Sequence, residues 1–213
     1  MKFPREPQLP YPQPWEYVLQ LLGDVQSGVF VDVGAHDGVK SSNSGYFELD
    51  LGWSGICIEP HPVPFALLKS NRTSHLYNNC VHDSGMEIDF LVVDGYPEML
   101  SCVLSVCSEE HMARIDREIA QHGGSKRIER ISSVRLDDLL DKHGFNSVDY
   151  LSIDTEGCEL NVLQSLDLSK YSIRCISAEN NDNRNTEVSD YLQQRGYTRM
   201  TKVCGDEIFL RTT

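Results

Sequence analysis

A short apolar run that ends in a glycine-spaced turn constrains the fold of this chain more than any other feature. Residues Val29 to Gly38 contain this run and turn, and a second apolar run, Ile56 to Ile58, is followed by Glu59. Glycine has no Cβ, so the backbone can turn tightly and approach a ligand, while an acid after the next strand can accept both hydroxyls of a ribose. The pattern predicts a doubly wound α/β sheet that holds an adenosine-containing cofactor.

The glycine spacing indicates which cofactor that is. Gly34 and Gly38 form Gly-x-x-x-Gly and not the Gly-x-Gly-x-x-Gly of dinucleotide sites. S-adenosylmethionine fits this turn better than NAD, because it has no pyrophosphate that needs a bare helix N-terminus. Asp32 supports a ligand-binding role, since an unpaired carboxylate in an apolar strand is costly. The alternative is a turn that only connects two elements.

Two segments of the chain resemble the FkbM-type methyltransferases. The first holds Val31 to Gly38, Ser42 to Ser44, Gly52 to Gly55 and Ile58 to Pro60, and the second is Asp149 to Leu163, with Ile-Asp-x-Glu-Gly-x-Glu. The resemblance covers about residues 29–180. It implies a Rossmann-like class I methyltransferase with a mostly parallel central sheet, helices on both faces and a C-terminal antiparallel hairpin. It also implies methyl transfer from S-adenosylmethionine to an oxygen.

The predicted cofactor site lies along the carboxyl ends of the first strands. We expect Asp32 and Gly34 to face the methionine half, Glu59 the ribose, and the turn at His82 the adenine. For His82 the alternative is a plain turn residue. The full predicted set is Asp32, Gly34, Ala35, His36, Asp37, Gly38, Ser42, Asn43, Glu59, Pro60, His82, Asp83 and Asp154.

Methyl transfer to a hydroxyl needs an in-line approach and a group that takes the proton. The residues predicted to be catalytic are Asp154, Glu179, His36 and Glu156. Oxygen atoms of Asp154, Glu179 and Asn180 would also suit Mg²⁺ or Mn²⁺. The structural alternative is that Glu156 caps the helix that it begins and that Glu179 forms local hydrogen bonds.

Charge restricts the class of acceptor. The chain has 32 acidic and 19 basic residues, a net charge of -13, which disfavours nucleic acid. Lys126, Arg127 and Arg130 are the one dense basic cluster, and we expect them to form a solvated face. Because relatives modify saccharides, we expect a sugar hydroxyl on a glycan or glycoconjugate, with Tyr46, Tyr96 or Phe65 as aromatic contacts. Another small polar metabolite, or a non-catalytic nucleotide-binding module, is the alternative.

Cysteine usage and the N-terminus suggest a compartment. The seven cysteines have no metal-type spacing, so reduced thiols in a cytoplasmic protein are expected. Prolines interrupt the N-terminal residues where a leader or membrane span would need an apolar run, so no membrane partner is expected. This proline-rich arm, residues 1–14, should be extended and could cover the cofactor or a second subunit of a homodimer.

The remaining pattern predicts one domain over residues 15–213 with an insertion at about 83–130. We expect a third strand from Leu76 to Val81 and two paired strands, one from Met86 to Val93 and one from Met99 to Val106. A charged helix should then end at Gly123, and a later helix should run from Glu156 to Leu166.

Overall fold

The computed structural model describes residues 2–3, 13–182 and 184–212. The α-helices within them are α1 (Pro14–Leu22), α2 (Gly45–Leu49), α3 (Pro62–Asn71), α4 (Glu109–His122), α5 (Leu136–His143), α6 (Glu159–Gln164) and α7 (Glu187–Gln193). The strands are β1 (Val29–Val33), β2 (Ser54–Ile58), β3 (His75–Tyr77), β4 (Cys80–Val81), β5 (Glu87–Asp94), β6 (Cys102–Val103), β7 (Ser125–Val134), β8 (Ser147–Ile153), β9 (Ser172–Glu179), β10 (Tyr197–Val203) and β11 (Asp206–Arg211).

The central sheet is mostly parallel. Its order is β10-β11-β9-β8-β1-β2-β3, in which the five strands from β3 to β9 run parallel. Strand β11 lies antiparallel between β9 and β10 and closes the sheet with a hairpin. This arrangement confirms the predicted α/β class and its C-terminal antiparallel hairpin.

Helices cover both faces of this sheet, because alternate residues of each strand point to opposite sides. Val31 and Val33 of β1 belong to a buried cluster that includes Leu140 of α5 and Leu163 of α6. Phe30 belongs to the opposite cluster, which draws Val18 from α1, Phe47 from α2 and Leu68 from α3.

The predicted third strand is wrong in one respect, because it is two strands in two sheets. Strand β3 pairs with β2 in the central sheet, whereas β4 pairs with β7 in a second sheet. Between them, the Asn78 side-chain amide donates to the carbonyls of Glu59 and Pro60 at 2.8 and 3.0 Å. These bonds tie the break to the end of β2.

The predicted insertion forms most of that second sheet, whose order is β4-β7-β5-β6. Strand β5 and helix α4 lie where the sequence predicts them, and Ser108 caps α4 by accepting from the His111 amide. The strand expected from Met99 to Val106 is shorter, because within that segment only Cys102 and Val103, which form β6, pair with β5. Strand β7, which contains the basic cluster, was not predicted.

The N-terminal arm lies largely outside the described residues, which resume at Gln13. Helix α1 begins at Pro14, because proline has the φ of a first helical residue and lacks only an N–H that would be unpaired there. In the described part of the chain, no helix is long and apolar enough to cross a bilayer.

Candidate functional site

The site lies where the direction of the sheet reverses. From β1 the chain passes to β2 on one side, and it returns later to β8 on the other side. In open α/β sheets, ligands bind at the carboxyl ends of the strands beside such a switch point. Gly34, Glu59 and Asp154 follow β1, β2 and β8 at this edge.

Two adjoining cavities open at this edge. The larger is a cleft of about 720 Å³, whose lining includes Glu59, Val81 and Phe90. The smaller, of about 300 Å³, is lined in part by Asp32 and Asn43. The residues that line both cavities are Gly34, His36, Met99 and Asp154.

Gly34 brings the ends of β1 and β8 together. Its φ is +89°, and a Cβ built there would lie 1.7 Å from the carbonyl oxygen of Asp154. The Asp154 amide in turn donates to the Val33 carbonyl at 2.9 Å. Only glycine permits this approach, so the turn motif fixes where Asp154 stands.

Glu59 lies in the cleft wall with 6% of its surface exposed. One carboxylate oxygen accepts from the His36 amide at 2.8 Å and the other from the His61 amide at 2.7 Å. Burial raises the pKa of Glu59 to about 7, although these two backbone bonds act against the shift. The two amides fix the orientation of the carboxylate, and each oxygen keeps a lone pair for a ligand hydroxyl.

His36 stands between the two cavities in a left-handed backbone conformation, with φ of 48°. Both ring nitrogens are buried and form no hydrogen bond within the described residues. Carboxylate oxygens of Glu98 and Asp37 lie 3.4 and 3.8 Å away. Burial lowers the pKa of His36, but Asp37, Glu59 and Glu98 together raise it more. Its ring is therefore available to a ligand.

Carboxylates gather beside the end of β8. One oxygen each from Asp154, Glu156 and Glu179 lies within 4.8 Å of the others. Burial, then the charge of Glu179, raises the pKa of Glu156 to about 8 and holds the pKa of Asp154 well above its usual range. The predicted group is therefore brought together, and the charge of Arg114 offsets only part of the repulsion on Glu156.

Helix α6 begins at Glu159, so the expectation that Glu156 caps the helix is wrong. Glu156 has φ of 54°, and the residue that accepts from the Thr155 and Gly157 amides is Glu159, at 3.1 Å each. Glu179 does form a local bond, since it accepts from the Asn181 amide group at 2.6 Å. The Asn180 amide group donates away from the carboxylates, to the Asn185 carbonyl at 2.9 Å.

The comparisons with known proteins decide the family. The family model for the methyltransferase FkbM domain matches residues 32–199, more than half of the chain. The chain belongs to the FkbM methyltransferase family. No curated protein matches the sequence significantly.

The chain shares its fold with a solved structure. It is 14% identical to the methyltransferase FkbM from Methylobacillus flagellatus KT, with a TM-score of 0.53 over 94% of this chain and 48% of that one. It thus spans about half the length of that relative. The N-terminal domain of human METTL16 in complex with SAH is 15% identical, with a TM-score of 0.46 over 96% and 70% of the two chains. The family and the fold are those of class I S-adenosylmethionine-dependent methyltransferases.

A buried ion pair between Arg72 and Glu48 stabilises the turn from Gly34 to Gly38. The Arg72 side chain is fully buried, and its Nε donates to Glu48 at 2.7 Å. Its other nitrogens donate to Gly38, Ser42 and Ser44 at 3.1, 3.3 and 2.9 Å. The Ser44 hydroxyl in turn donates to a carboxylate oxygen of Asp32 at 2.5 Å.

Sequence reasoning did not identify Arg72 or Glu48 as supports of the site. Glu48 lies within the N-terminal segment that resembles the family, but its partner Arg72 is 24 residues further along the chain. Burial raises the pKa of Asp32 even though Arg72 and Ser44 act to lower it. The Asp32 carboxylate is therefore held mainly by this network.

Two of the predicted cofactor residues, Asp37 and Gly38, shape the turn and line neither cavity. Asp37 accepts from the Val39 and Lys40 amides at 2.9 and 2.8 Å. Gly38 has φ of 77°, and a Cβ there would meet the Leu68 and Arg72 side chains. Ala35, Ser42 and Asn43 line the smaller cavity, and Pro60 lines the larger one.

Asn79 is a polar residue of the cleft lining that the sequence did not indicate. His82 and Asp83 lie outside both linings, with the His82 ring 2.9 Å from the Asp83 carboxylate. The Asn79 amide group donates to the Ser132 carbonyl at 3.1 Å, so its oxygen is left to accept. We expect it to meet the exocyclic amine of an adenine.

The ligand-free FkbM chain is expected to lose stability as the pH rises from about 5 to about 8. Glu59, Glu156 and Asp206, whose pKa values are raised to about 7, 8 and 7, keep protons in the folded chain that the unfolded chain releases near pH 4. Because the folded state binds more protons in this window, the free energy of unfolding falls as pH rises, by about 3 kcal/mol for Glu59 alone.

Urea unfolding at pH 5.5 and pH 8 measures this difference. Asp206→Asn, which removes one of the raised carboxyl groups, should flatten the fall, whereas Asp182→Asn at the surface should not. A free energy of unfolding that rises across this window would contradict the expectation.

Proposed function

We propose that the chain transfers the methyl group of S-adenosylmethionine to a hydroxyl of a sugar in a glycan or glycoconjugate. The observation that carries the proposal is a group of half-buried acids, Asp154, Glu156 and Glu179, beside a cleft with Glu59 in its wall. Burial and neighbouring carboxylates raise the pKa of Asp154 and of Glu156. S-adenosylmethionine carries a sulfonium and an ammonium against one carboxylate, so its net positive charge offsets the repulsion among these acids.

The two cavities suit the two halves of this cofactor. Adenosine would occupy the larger cleft, with its ribose on Glu59 and its adenine near Asn79. The methionine end would enter the smaller cavity, where Lys40 and Asn43 suit its carboxylate. The sulfonium would then lie where the cavities meet, beside His36.

The carboxylate group supplies a proton acceptor for the reaction. The acceptor oxygen attacks the methyl carbon in line, and the C–O bond forms as the C–S bond breaks. Sulfur keeps the electron pair of that bond, which yields neutral S-adenosylhomocysteine, and the hydroxyl proton passes to Asp154 in its group with Glu156 and Glu179. His36 is the second candidate for this proton.

A hard divalent ion is the alternative use of the same oxygens. Three carboxylates within 4.8 Å fit the ligand preference of Mg²⁺ or Mn²⁺, although the Asn180 amide group points to Asn185. Such an ion would make the proton of a bound hydroxyl easier to remove.

The surface near the cleft favours a neutral saccharide. Tyr96 is 70% exposed, its ring lies 4.3 Å from the His122 ring, and Glu98 and Met99 beside it line the cleft. An exposed aromatic ring suits the apolar face of a sugar. The other aromatic candidates are engaged, since Tyr46 stacks on Trp15 at 4.5 Å and Phe65 lies under the Lys69 ammonium.

Each member of the basic cluster lies beside a carboxylate. Lys126 pairs with Asp116 at 2.5 Å, Arg127 pairs with Asp94, and the Arg130 guanidinium lies 3.7 Å from Asp89. Binding of nucleic acid releases counterions only where cationic groups meet phosphates, and here carboxylates already occupy these positions. This supports a non-nucleic-acid acceptor.

Replacing Glu59 by glutamine should weaken S-adenosylhomocysteine binding by at least about tenfold. The change removes the charged acceptor for the ribose hydroxyls, and hydrogen bonds to charged groups contribute about 1.5 to 3 kcal/mol each. Calorimetry on the folded variant measures the affinity. Asp83→Asn is the matched control, because Asp83 lies outside the cleft and its variant should bind as the parent chain does.

The acceptor class is tested by incubating the protein with methyl-labelled S-adenosylmethionine and separate pools of oligosaccharides, RNA and small polar metabolites. We expect label in the oligosaccharides. Label in the metabolites alone would shift the acceptor class, and label in RNA would overturn it. Binding of S-adenosylhomocysteine without transfer to any pool would indicate a nucleotide-binding module.

A further inference from the structure

A group of soft metal ligands lies beside the cleft, apart from the carboxylates. The Cys102 and Cys107 sulfurs and one ring nitrogen of His111 lie within 4.8 Å of one another. Cys102 is in β6 and His111 is in the first turn of α4. Cys107 lies between them, directly after a short helical turn, Leu104–Val106. We propose that these three side chains bind a zinc ion and that Glu156 faces its fourth position.

The spacing of the three atoms suits zinc. With Zn–S of about 2.3 Å and Zn–N of about 2.0 Å, the ligand atoms of a tetrahedral site lie roughly 3 to 4 Å apart. The described thiols are reduced, so both sulfurs are available. Cys102 is fully buried, whereas Cys107 and His111 are half-buried, so an ion can enter from their side.

Backbone contacts already orient the imidazole as a ligand. The Nε2 atom of His111 lies 2.9 Å from the Leu100 carbonyl oxygen, which can only accept, so Nε2 carries the hydrogen. The other nitrogen, Nδ1, is then bare in the neutral ring. Histidines that bind metals commonly donate their second N–H to a carbonyl in this way.

The bare nitrogen faces another acceptor. The Nδ1 atom of His111 lies 3.5 Å from a carboxylate oxygen of Glu156. Two acceptors at this distance, the imidazole nitrogen and the carboxylate oxygen, require either a proton on one of them or a cation between them. The thiols of Cys102 and Cys107 lie beside the His111 nitrogen. Thiolate and imidazole ligands select zinc over Mg²⁺ or Mn²⁺.

The site would join two parts of the fold at the cleft. Cys102, Cys107 and His111 belong to the second sheet and its helix, whereas Glu156 follows β8 of the central sheet and lines the cleft. A bound zinc ion would therefore fix the position of Glu156 and the cleft wall that it forms. The Cys-x₄-Cys-x₃-His spacing gives no such indication in the sequence, because the short helical turn and the α4 cap bring the ligands together.

A zinc-binding measurement on the full chain tests the proposal. The chain carries no affinity tag of histidines, and a phosphine keeps its thiols reduced. We expect one zinc per chain in competition with a chromogenic chelator, release of thiol protons on binding, and a higher melting temperature with zinc. Co²⁺ in place of zinc should show thiolate-to-metal charge transfer.

Two ligand variants and two controls locate the ion. Cys107→Ser and His111→Asn should weaken zinc binding by more than the roughly 10- to 100-fold that loss of an outer partner causes. Cys204→Ser, an exposed thiol elsewhere, and His122→Asn, at the far end of α4, should bind zinc as the parent chain does. Equal affinity in all variants, no uptake by the folded chain, or a Cys102–Cys107 disulfide in the reduced preparation would overturn the proposal.

Discussion

Asp154→Asn is expected to lower kcat at least about 100-fold while the protein still folds and binds S-adenosylhomocysteine. Asparagine has the shape of the protonated acid, so it should be accepted at a site where burial and neighbouring carboxylates already favour the neutral form. It cannot take a proton from the acceptor hydroxyl, and loss of a positioned base typically reduces turnover by this much.

The charge of the cofactor explains how a carboxyl group with a raised pKa can act as a base. In the proposed complex, a sulfonium next to Asp154 would stabilise the ionised form, so cofactor binding would prepare the carboxylate to take the hydroxyl proton. Once the methyl group has left, the sulfur is neutral and the carboxyl group can again keep its proton. The raised pKa of the ligand-free site and the activity of the loaded site are thus compatible.

Asp149→Asn is the matched control for this variant. Asp149 lies near the start of β8, at the opposite end from Asp154, and it accepts from the Val29 amide at 3.0 Å. Its variant should keep turnover within about twofold, since it lies away from the reacting atoms. If a chelator abolishes turnover and Mg²⁺ but not Zn²⁺ restores it, a metal ion activates the hydroxyl. Full turnover in Asp154→Asn would refute both proposals, Asp154 as the base and Asp154 as a ligand of that metal.

The parts of the site that the sequence predicts are those that depend on local geometry. The turn after β1 follows from the steric freedom of Gly34, and the position of Glu59 follows from the length of an apolar strand. The approach of Asp154 and Glu179 follows from parallel strands that end at one edge of a sheet. Each of these steps needs only a short segment and a rule of strand pairing.

The parts that the sequence does not predict depend on contacts between distant segments. Arg72 and Asn79 appear in the sequence as an ordinary helix end and a polar loop residue, and only the packed chain shows what they touch. Strand β7 alternates apolar and polar residues weakly, because most of its length is exposed and its pairing with β5 determines it. The alternative that Glu156 caps a helix is wrong because Glu156 has a left-handed conformation before the helix begins, and that conformation has no signature in the sequence.

Arg72→Met is expected to destabilise the protein by about 3 to 5 kcal/mol, the usual loss when one partner of a buried ion pair is removed. Methionine keeps much of the length of the side chain but leaves Glu48 and Asp32 without the cation that offsets their charge. With total stabilities of about 5 to 15 kcal/mol for domains, such a loss is a large fraction of the whole. Urea unfolding measures it, and Arg130→Ala, at a guanidinium 71% exposed, should change it by less than about 0.5 kcal/mol.

The pH dependence of this loss separates charge from packing. If the uncompensated carboxylates cause it, protonating them should restore part of the stability, so the deficit should be smaller at pH 5 than at pH 8. Adding Glu48→Gln to Arg72→Met should recover part of the loss for the same reason. A deficit that is equal at both pH values and unchanged in the double variant would assign the effect to the lost volume of the side chain and not to the ion pair that supports the cofactor turn.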